Sequence, residues 1–324
     1  MQILQIGSYP QYQLLEVPTP QPGEGEILMR VEAVTTCPQW DLHLRHNEPM
    51  FTGHQFHYPY TSGQPGHEAT GTVAAVGTGV TGLEAGERVS AWRDPGHKQP
   101  GCYAQYVVLK AENVIRVPAS LPLEATASVE LAMCVGATFL MLQSMQILSG
   151  KRIGVMGLGP AGLIAAQMAR AEGASEVIGF DISPQRRNYV VTQQLTAAAY
   201  DPLEAAETSF PARPAKPTLD ITVDCVGAKA SVEFAMDHTR DVVALFGVQR
   251  EDYTFAPRHY SLRLCGYPGH SRKAAEYAVG LIGSGQLDLT PLVTHHLPLS
   301  RYNEGIDLLE KQQAIKICFH PWES

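Results

Sequence analysis

Lys151 to Asp181, KRIGVMGLGPAGLIAAQMARAEGASEVIGFD, constrains the fold more than any other stretch of the chain. Arg152 to Met156 is an apolar run of the length of a buried parallel strand. Gly157, Leu158, Gly159, Pro160, Ala161 and Gly162 follow at once as a complete G-x-G-x-x-G. A helical apolar pattern (Leu163, Ile164, Met168, Ala169) then runs to Gly173, and Pro160 suits its first turn, where no N–H is needed. A second strand, Val177 to Phe180, ends in Asp181.

Strand, glycine turn, helix, strand and acid in this order predict a dinucleotide site. Gly157 permits the tight turn, Gly159 lets a pyrophosphate approach the backbone, and Gly162 lets helix and strand pack closely. The open helix end, at Leu158 to Ala161, supplies N–H groups and a positive dipole to the phosphates. Asp181 stands nineteen residues beyond Gly162, where a carboxylate accepts from ribose hydroxyls. A carboxylate there repels a 2′-phosphate, so the expected cofactor is NAD rather than NADP. Arg186 and Arg187 lie near enough to soften that preference.

At 324 residues the chain is long for one core and comfortable for two. A net charge of −8 argues against nucleic acid and anionic membranes as partners. No apolar run approaches the ~20 residues of a membrane span, and no signal-peptide pattern precedes the first strand, so the expected location is the cytoplasm. The six cysteines include no C-x-x-C pair and do not read as a disulfide framework.

Residues 1 to about 115 read as short strands broken by turns, a β-barrel-like domain. Leu123 to Leu148 is helical, and after Asp181 the βα alternation continues through Ile221–Val226, Ala230–His238, Val242–Gly247 and Leu262–Cys265. The expected fold class is therefore α/β. A barrel domain over 1–142, rejoined by 270–324 through a last strand at Ile315–Phe319, accompanies a doubly wound parallel sheet over 143–269.

The N-terminal part also holds candidate metal ligands. Cys37 ends an apolar strand, His67 and Glu68 follow Gly66, and Glu130 begins a helix. A thiolate, an imidazole and a carboxylate make a three-ligand site with an open fourth position. Taken singly, residues of these types are more often structural than metal ligands.

Gly66-His67-Glu68-x-x-Gly71-x5-Gly77-x-x-Val80 is similar to the zinc-containing alcohol dehydrogenase signature of the medium-chain dehydrogenase/reductase superfamily. Glu87-Arg88-Val89 resembles the family's GDRV, and Gly101-Cys102-Tyr103-Ala104-Gln105-Tyr106-Val107 its GxFAEYV. Asp224-Cys225-Val226-Gly227 and Phe246-Gly247-Val248 look like its later strand ends. The resemblance implies a GroES-like catalytic domain beside a Rossmann NAD-binding domain. It also implies one catalytic Zn2+ on Cys37, His67 and Glu130, the last as in the polyol dehydrogenase branch, with Cys134 as rival third ligand. Glu68 is then an outer or exchanging ligand, and Val226 and Phe246 lie in the cofactor site with Cys134 near the nicotinamide. A homodimer or homotetramer is implied as well, with Val242–Val248 as a candidate edge strand.

Two departures stand out. The family's Cys-Gly-Ser/Thr-Asp-x-His reads here Cys37-Pro38-Gln39-Trp40-Asp41-Leu42-His43, with one residue inserted and no hydroxyl in the relay position. His43 becomes the expected proton carrier, and Asp41 is expected to pair with Lys316. The four-cysteine zinc lobe is missing, because Val89 to Leu109 holds only Cys102; the expectation is one catalytic zinc and no structural zinc. The implied activity is NAD-linked oxidation of a secondary alcohol or polyol, with His54–Tyr60, Trp40 and Trp92 lining the substrate site. The alternatives are a zinc-free quinone or enoyl reductase of the same superfamily, or a catalytically inactive nucleotide-binding relative.

Overall fold

The computed structural model describes residues 1–51, 53–94, 96–208 and 210–323. Two compact units are present: Met1–Met133 with Ala278–Gly283 and Asp288–Ser324, and Cys134–Tyr277 with Ser284–Leu287. The division falls at Met133, inside the helix Val129–Ser144, and not at residue 142 near that helix's end.

The first unit is built on a seven-stranded sheet. Its long central strand, Glu26–Thr35, pairs antiparallel with Glu68–Val76, with Tyr106–Lys110 and with Lys316–His320. The C-terminal strand thus rejoins the N-terminal barrel, one residue later than the apolar run Ile315–Phe319 indicates. Beyond it lies Val293–Pro298, parallel to Lys316–His320 and last in the strand order. Alternation along Glu26–Thr35 sends Ile27, Met29 and Val31 into a core shared with Val73, Val89, Val107 and Leu109. The inserted residue after Cys37 has a local explanation: Pro38 opens the helix Pro38–His46, and Cys37 is its N-cap.

The second unit is a six-stranded, wholly parallel sheet. Its order is Ala198–Tyr200, Glu176–Phe180, Arg152–Met156, Leu219–Asp224, Thr239–Leu245 and Arg263–Gly266. The chain winds one way from Arg152–Met156 and then the other, so the switch point lies between that strand and Leu219–Asp224. Such an α/β sheet is the Rossmann arrangement that the glycine pattern predicts. The residues Val242–Leu245 are not at an edge: Thr239–Leu245 is flanked on its outer side by Arg263–Gly266, which is the edge strand. No helix among the described residues is long and apolar enough to cross a membrane.

Candidate active site

In the first unit, the end of Glu26–Thr35 and the start of Glu68–Val76 bring four predicted residues together. Thr35 is registered against Glu68, so Cys37, just past one strand, meets His67, just before the other. One ligand atom each from Cys37, His67 and Glu68 lies within 4.8 Å of the other two. Glu130 approaches from its helix, with Oε2 3.8 Å from His67 Nε2. His67, Glu68 and Glu130 are buried, and Cys37 is half-buried.

The His67 ring is oriented by Pro65, whose carbonyl oxygen lies 2.7 Å from Nδ1. That contact fixes the proton on Nδ1 and turns Nε2 toward the acidic groups, as an outer partner does for a ligating histidine. Burial alone would lower the His67 pKa. The hydrogen bond and charge of Cys37, joined by the charges of Glu130 and Asp94, hold it well above the ordinary value. The pocket is therefore built for positive charge. Sulfur, nitrogen and carboxylate oxygen at these separations fit a zinc-type cation.

Glu68 differs from Glu130 in its neighbours. Lys316 Nζ, fully buried, donates to both Glu68 oxygens at 2.5 and 2.6 Å and to the Thr36 carbonyl at 2.6 Å. Asp41 and Lys316, expected to pair, therefore do not pair. The register explains this: Cys318 sits opposite Thr35 and Thr35 opposite Glu68, so Lys316 and Glu68 flank the same strand. Asp41 instead accepts from Tyr103 Oη at 2.9 Å, from Tyr302 Oη at 2.9 Å and from the Cys37 backbone N–H at 2.9 Å. Burial pushes its carboxyl up to about 6, against the lowering effect of these hydrogen bonds and of His67. Asp41 thus anchors the Cys37 backbone. Tyr103 stands where the family's GxFAEYV has phenylalanine, and that extra hydroxyl was the available signal for this partner.

His43 is half-buried on the helix Pro38–His46, with Nδ1 3.1 Å from the Glu48 carbonyl oxygen, and is not among the converging donors. A pair that residue spacing did not disclose lies closer in effect. His97 Nε2 is 3.3 Å from Asp94 Oδ2, and the charges of Asp94 and His67 act on each other and on His97. The His97 ring lies 3.8 Å, centroid to centroid, from Trp40, which also meets His54 and Phe56 edge-on. Trp92 takes no part in that cluster, being buried with its Nε1 donating to the Glu112 carbonyl.

The second unit carries the predicted dinucleotide residues. Gly157 has φ +82°, open to glycine at little cost. A Cβ on Gly162 would overlap the Gly157 carbonyl oxygen. Gly159 is the N-cap of Pro160–Ala171, with Pro160 in the first turn and no side chain capping the helix, so Ala161 and its neighbours leave the N–H end open to an anion. Asp181, buried just past Glu176–Phe180, accepts from the N–H of Leu158 and of Ser183, each at 2.8 Å. Arg186 Nη1 stands 3.6 Å from the same carboxylate. Val226 is exposed and Phe246 half-buried at the ends of neighbouring strands. Cys134, the rival ligand, belongs to this unit, whereas Glu130 belongs to the first.

Residues 23–119 match the alcohol dehydrogenase GroES-like domain. The chain is 28% identical to an L-threonine 3-dehydrogenase of Bacillus velezensis over 95% of each chain. These similarities agree with the resemblance to the zinc-containing alcohol and polyol dehydrogenases of the medium-chain dehydrogenase/reductase superfamily. Another dehydrogenase relative is the sorbitol dehydrogenase of Gallus gallus, 26% identical over 93% of this chain and 90% of that one. Among solved structures, galactitol-1-phosphate dehydrogenase from Escherichia coli has a TM-score of 0.81 at 20% identity, covering 99% of this chain and 100% of that one. The 2R,3R-butanediol dehydrogenase of Bacillus subtilis has 0.82 at 21%, covering 99% of both. At such identities the dehydrogenase structures speak to the fold.

Proposed function

We propose that the chain is a zinc-dependent oxidoreductase that passes hydride between a secondary alcohol or polyol and NAD. The observation that carries this reading is the buried convergence of Cys37, His67 and Glu68 within 4.8 Å, with Glu130 3.8 Å from His67. Relatives named for L-threonine and sorbitol support a hydroxyl-bearing substrate.

When bound, zinc supplies Lewis acidity toward the alcohol oxygen and the nicotinamide supplies the hydride acceptor. Cys37, His67 and Glu130 are the proposed ligands. Glu68 is assigned an outer place because Lys316 occupies both its oxygens. Asp41 holds the Cys37 backbone, Pro65 holds the His67 ring, and each lowers the cost of ordering a ligand. With Nδ1 of His43 held at Glu48, proton exchange at that residue falls to Nε2. The backbone N–H groups of Gly159 and Ala161 are the ones left for pyrophosphate, since Pro160 has none and that of Leu158 is held by Asp181; Asp181 and Arg186 sort NAD from NADP at the ribose. Val226 and Phe246 complete the proposed cofactor site. A cytoplasmic homodimer or homotetramer is part of the same proposal; light scattering on the purified chain tests the assembly.

The test is a panel of polyols and secondary alcohols with NAD, run on protein purified without chelator. NADH formation that chelation abolishes and zinc restores is expected. Turnover that survives complete zinc removal would transfer the reading to a zinc-free reductase. Tight NADH binding with silence across the panel would leave only a nucleotide-binding relative.

A further inference from the structure

Outside the Cys37–His67 cluster, a second set of soft and borderline donors lies at the margin of the first unit's sheet. Val293–Pro298 and Lys316–His320 run parallel, with His296 opposite Cys318 and Pro298 opposite His320. Side chains alternate along a strand, so Cys318 and His320 share one face, and His296 stands beside them. One ligand atom from each of the three lies within 4.8 Å of the others. His296 Nδ1 and His320 Nε2 are 3.0 Å apart, their rings only 17° from parallel.

Two imidazole nitrogens at that distance share a proton, because lone pairs facing one another would repel. A cation can take the proton's place. Tetrahedral zinc with Zn–N bonds of about 2.0–2.1 Å sets its nitrogens about 3.3 Å apart, a few tenths of an ångström from what is seen here. We infer that His296, Cys318 and His320 form a second metal site, suited to a zinc-class divalent cation. A sulfur and two imidazoles are the donor types such an ion prefers, and three protein ligands leave a fourth position to water.

The surroundings agree with this assignment. His296 is exposed and gives an ion its way in, while Cys318 is buried and His320 half-buried. The charges of Glu124 and Glu323 act on Cys318, opposed by that of Lys316. Burial, with those two carboxylates, pushes the Cys318 thiol up to about 12. Binding therefore displaces a proton: the S–H bond breaks, a sulfur–metal bond forms, the proton leaves to solvent, and nothing is oxidised or reduced. Thr294 already pins the strand pair, its Oγ1 accepting from the Ile315 N–H at 3.0 Å. Val293–Pro298 ends the strand order and pairs only with Lys316–His320 among the described strands, so an ion across the two would staple an otherwise one-sided strand. The expectation of no structural zinc counted thiolates between Val89 and Leu109 and did not reach these residues.

The test uses the full chain, stripped with chelator, loaded with Zn2+, desalted and analysed for metal. Two ions per chain are expected in the wild type, one in His296→Ala, one in Cys37→Ser and none in the double variant. Because outer partners alone are worth ~10–100-fold in metal affinity, loss of the His296 ligand should weaken the second ion by about a hundredfold or more. Co2+ added to Cys37→Ser should show thiolate-to-cobalt charge transfer that disappears when Cys318→Ala is added. The exposed His296→Ala and the half-buried His320→Ala carry the test if the core variant Cys318→Ala does not fold. Metal content that neither histidine variant changes, or a Cys37→Ser chain without any ion, overturns the inference while leaving the first zinc in place. A single ion retained in Cys37→Ser and lost in His296→Ala would instead support this site and remove Cys37 from the proposed catalytic one.

Discussion

Replacing Lys316 with methionine tests how the active-site region is held. Lys316 and Glu68 are both almost wholly buried, and Nζ lies 2.5 and 2.6 Å from the two carboxylate oxygens. Without the cation, Glu68 keeps only Thr35 Oγ1, at 3.4 Å, as a side-chain donor among the described residues, and the Thr36 carbonyl loses its bond from Nζ. Removing one partner of a buried pair costs about 3–5 kcal/mol, since the surviving charge is left uncompensated. All three tryptophans, Trp40, Trp92 and Trp322, belong to the first unit, so their fluorescence reports its unfolding alone. With m near ~2 kcal/mol/M in urea, Lys316→Met should lower the midpoint of that transition by about 1.5–2.5 M.

The companion change Glu68→Gln removes the stranded charge. Lys316→Met with Glu68→Gln should therefore lose much less than the sum of the two single variants, a coupling of about 2 kcal/mol or more. Chelator-stripped protein should be used throughout, so that zinc binding does not enter the comparison. Strict additivity, or a Lys316→Met midpoint within experimental error of wild type, would refute the claim that this pair is coupled and desolvated.

Four shorter expectations accompany it. Glu130→Gln should lose the zinc that Cys37→Ser also loses, whereas Glu68→Gln should retain it; metal analysis with the opposite ranking would make Glu68 the ligand. Asp181→Ala removes a charged acceptor worth about 1.5–3 kcal/mol per hydrogen bond, so NADH affinity should fall at least about tenfold while NADPH affinity holds; equal loss in fluorescence titrations of the two cofactors would end its ribose role. Burial raises the Asp224 pKa above 3.8, against hydrogen bonds from Ser231, Gly227 and Val226. The unfolded carboxyl then ionises first, so the charge costs stability above the folded pKa and that cost lifts as pH falls toward 3.8. Thermal unfolding followed by circular dichroism from pH 7 to about 4 should therefore show wild type gaining on Asp224→Asn; a gap that ignores pH would contradict this. Finally, Tyr103→Phe removes one of the two hydroxyls on Asp41 and should destabilise the first unit by about 1–3 kcal/mol, read by the same tryptophan signal.

The parts of this molecule that were readable in its residues are those fixed by local geometry. Gly157 to Gly162, the apolar strand before them and Asp181 after them form a turn whose steric demands are written in consecutive positions, and the parallel sheet follows from that unit and its repeats. Even the return of the C-terminal strand showed in the apolar run Ile315–Phe319. What spacing could not supply is which charged groups face each other across strands. Lys316 and Asp41 both sit near the proposed zinc ligands in the chain's organisation, yet the register Cys318–Thr35–Glu68 hands the lysine to Glu68. Asp41, left without a cation, is satisfied by two tyrosines 62 and 261 residues away in sequence. The same rule governs His296, Cys318 and His320. Cys318 and His320 share a face of one strand, and only the parallel register with Val293–Pro298 sets His296 beside them. Sheet register, rather than motif spacing, therefore decides both the neighbours of the proposed catalytic metal site and the convergence of donors at the proposed second one.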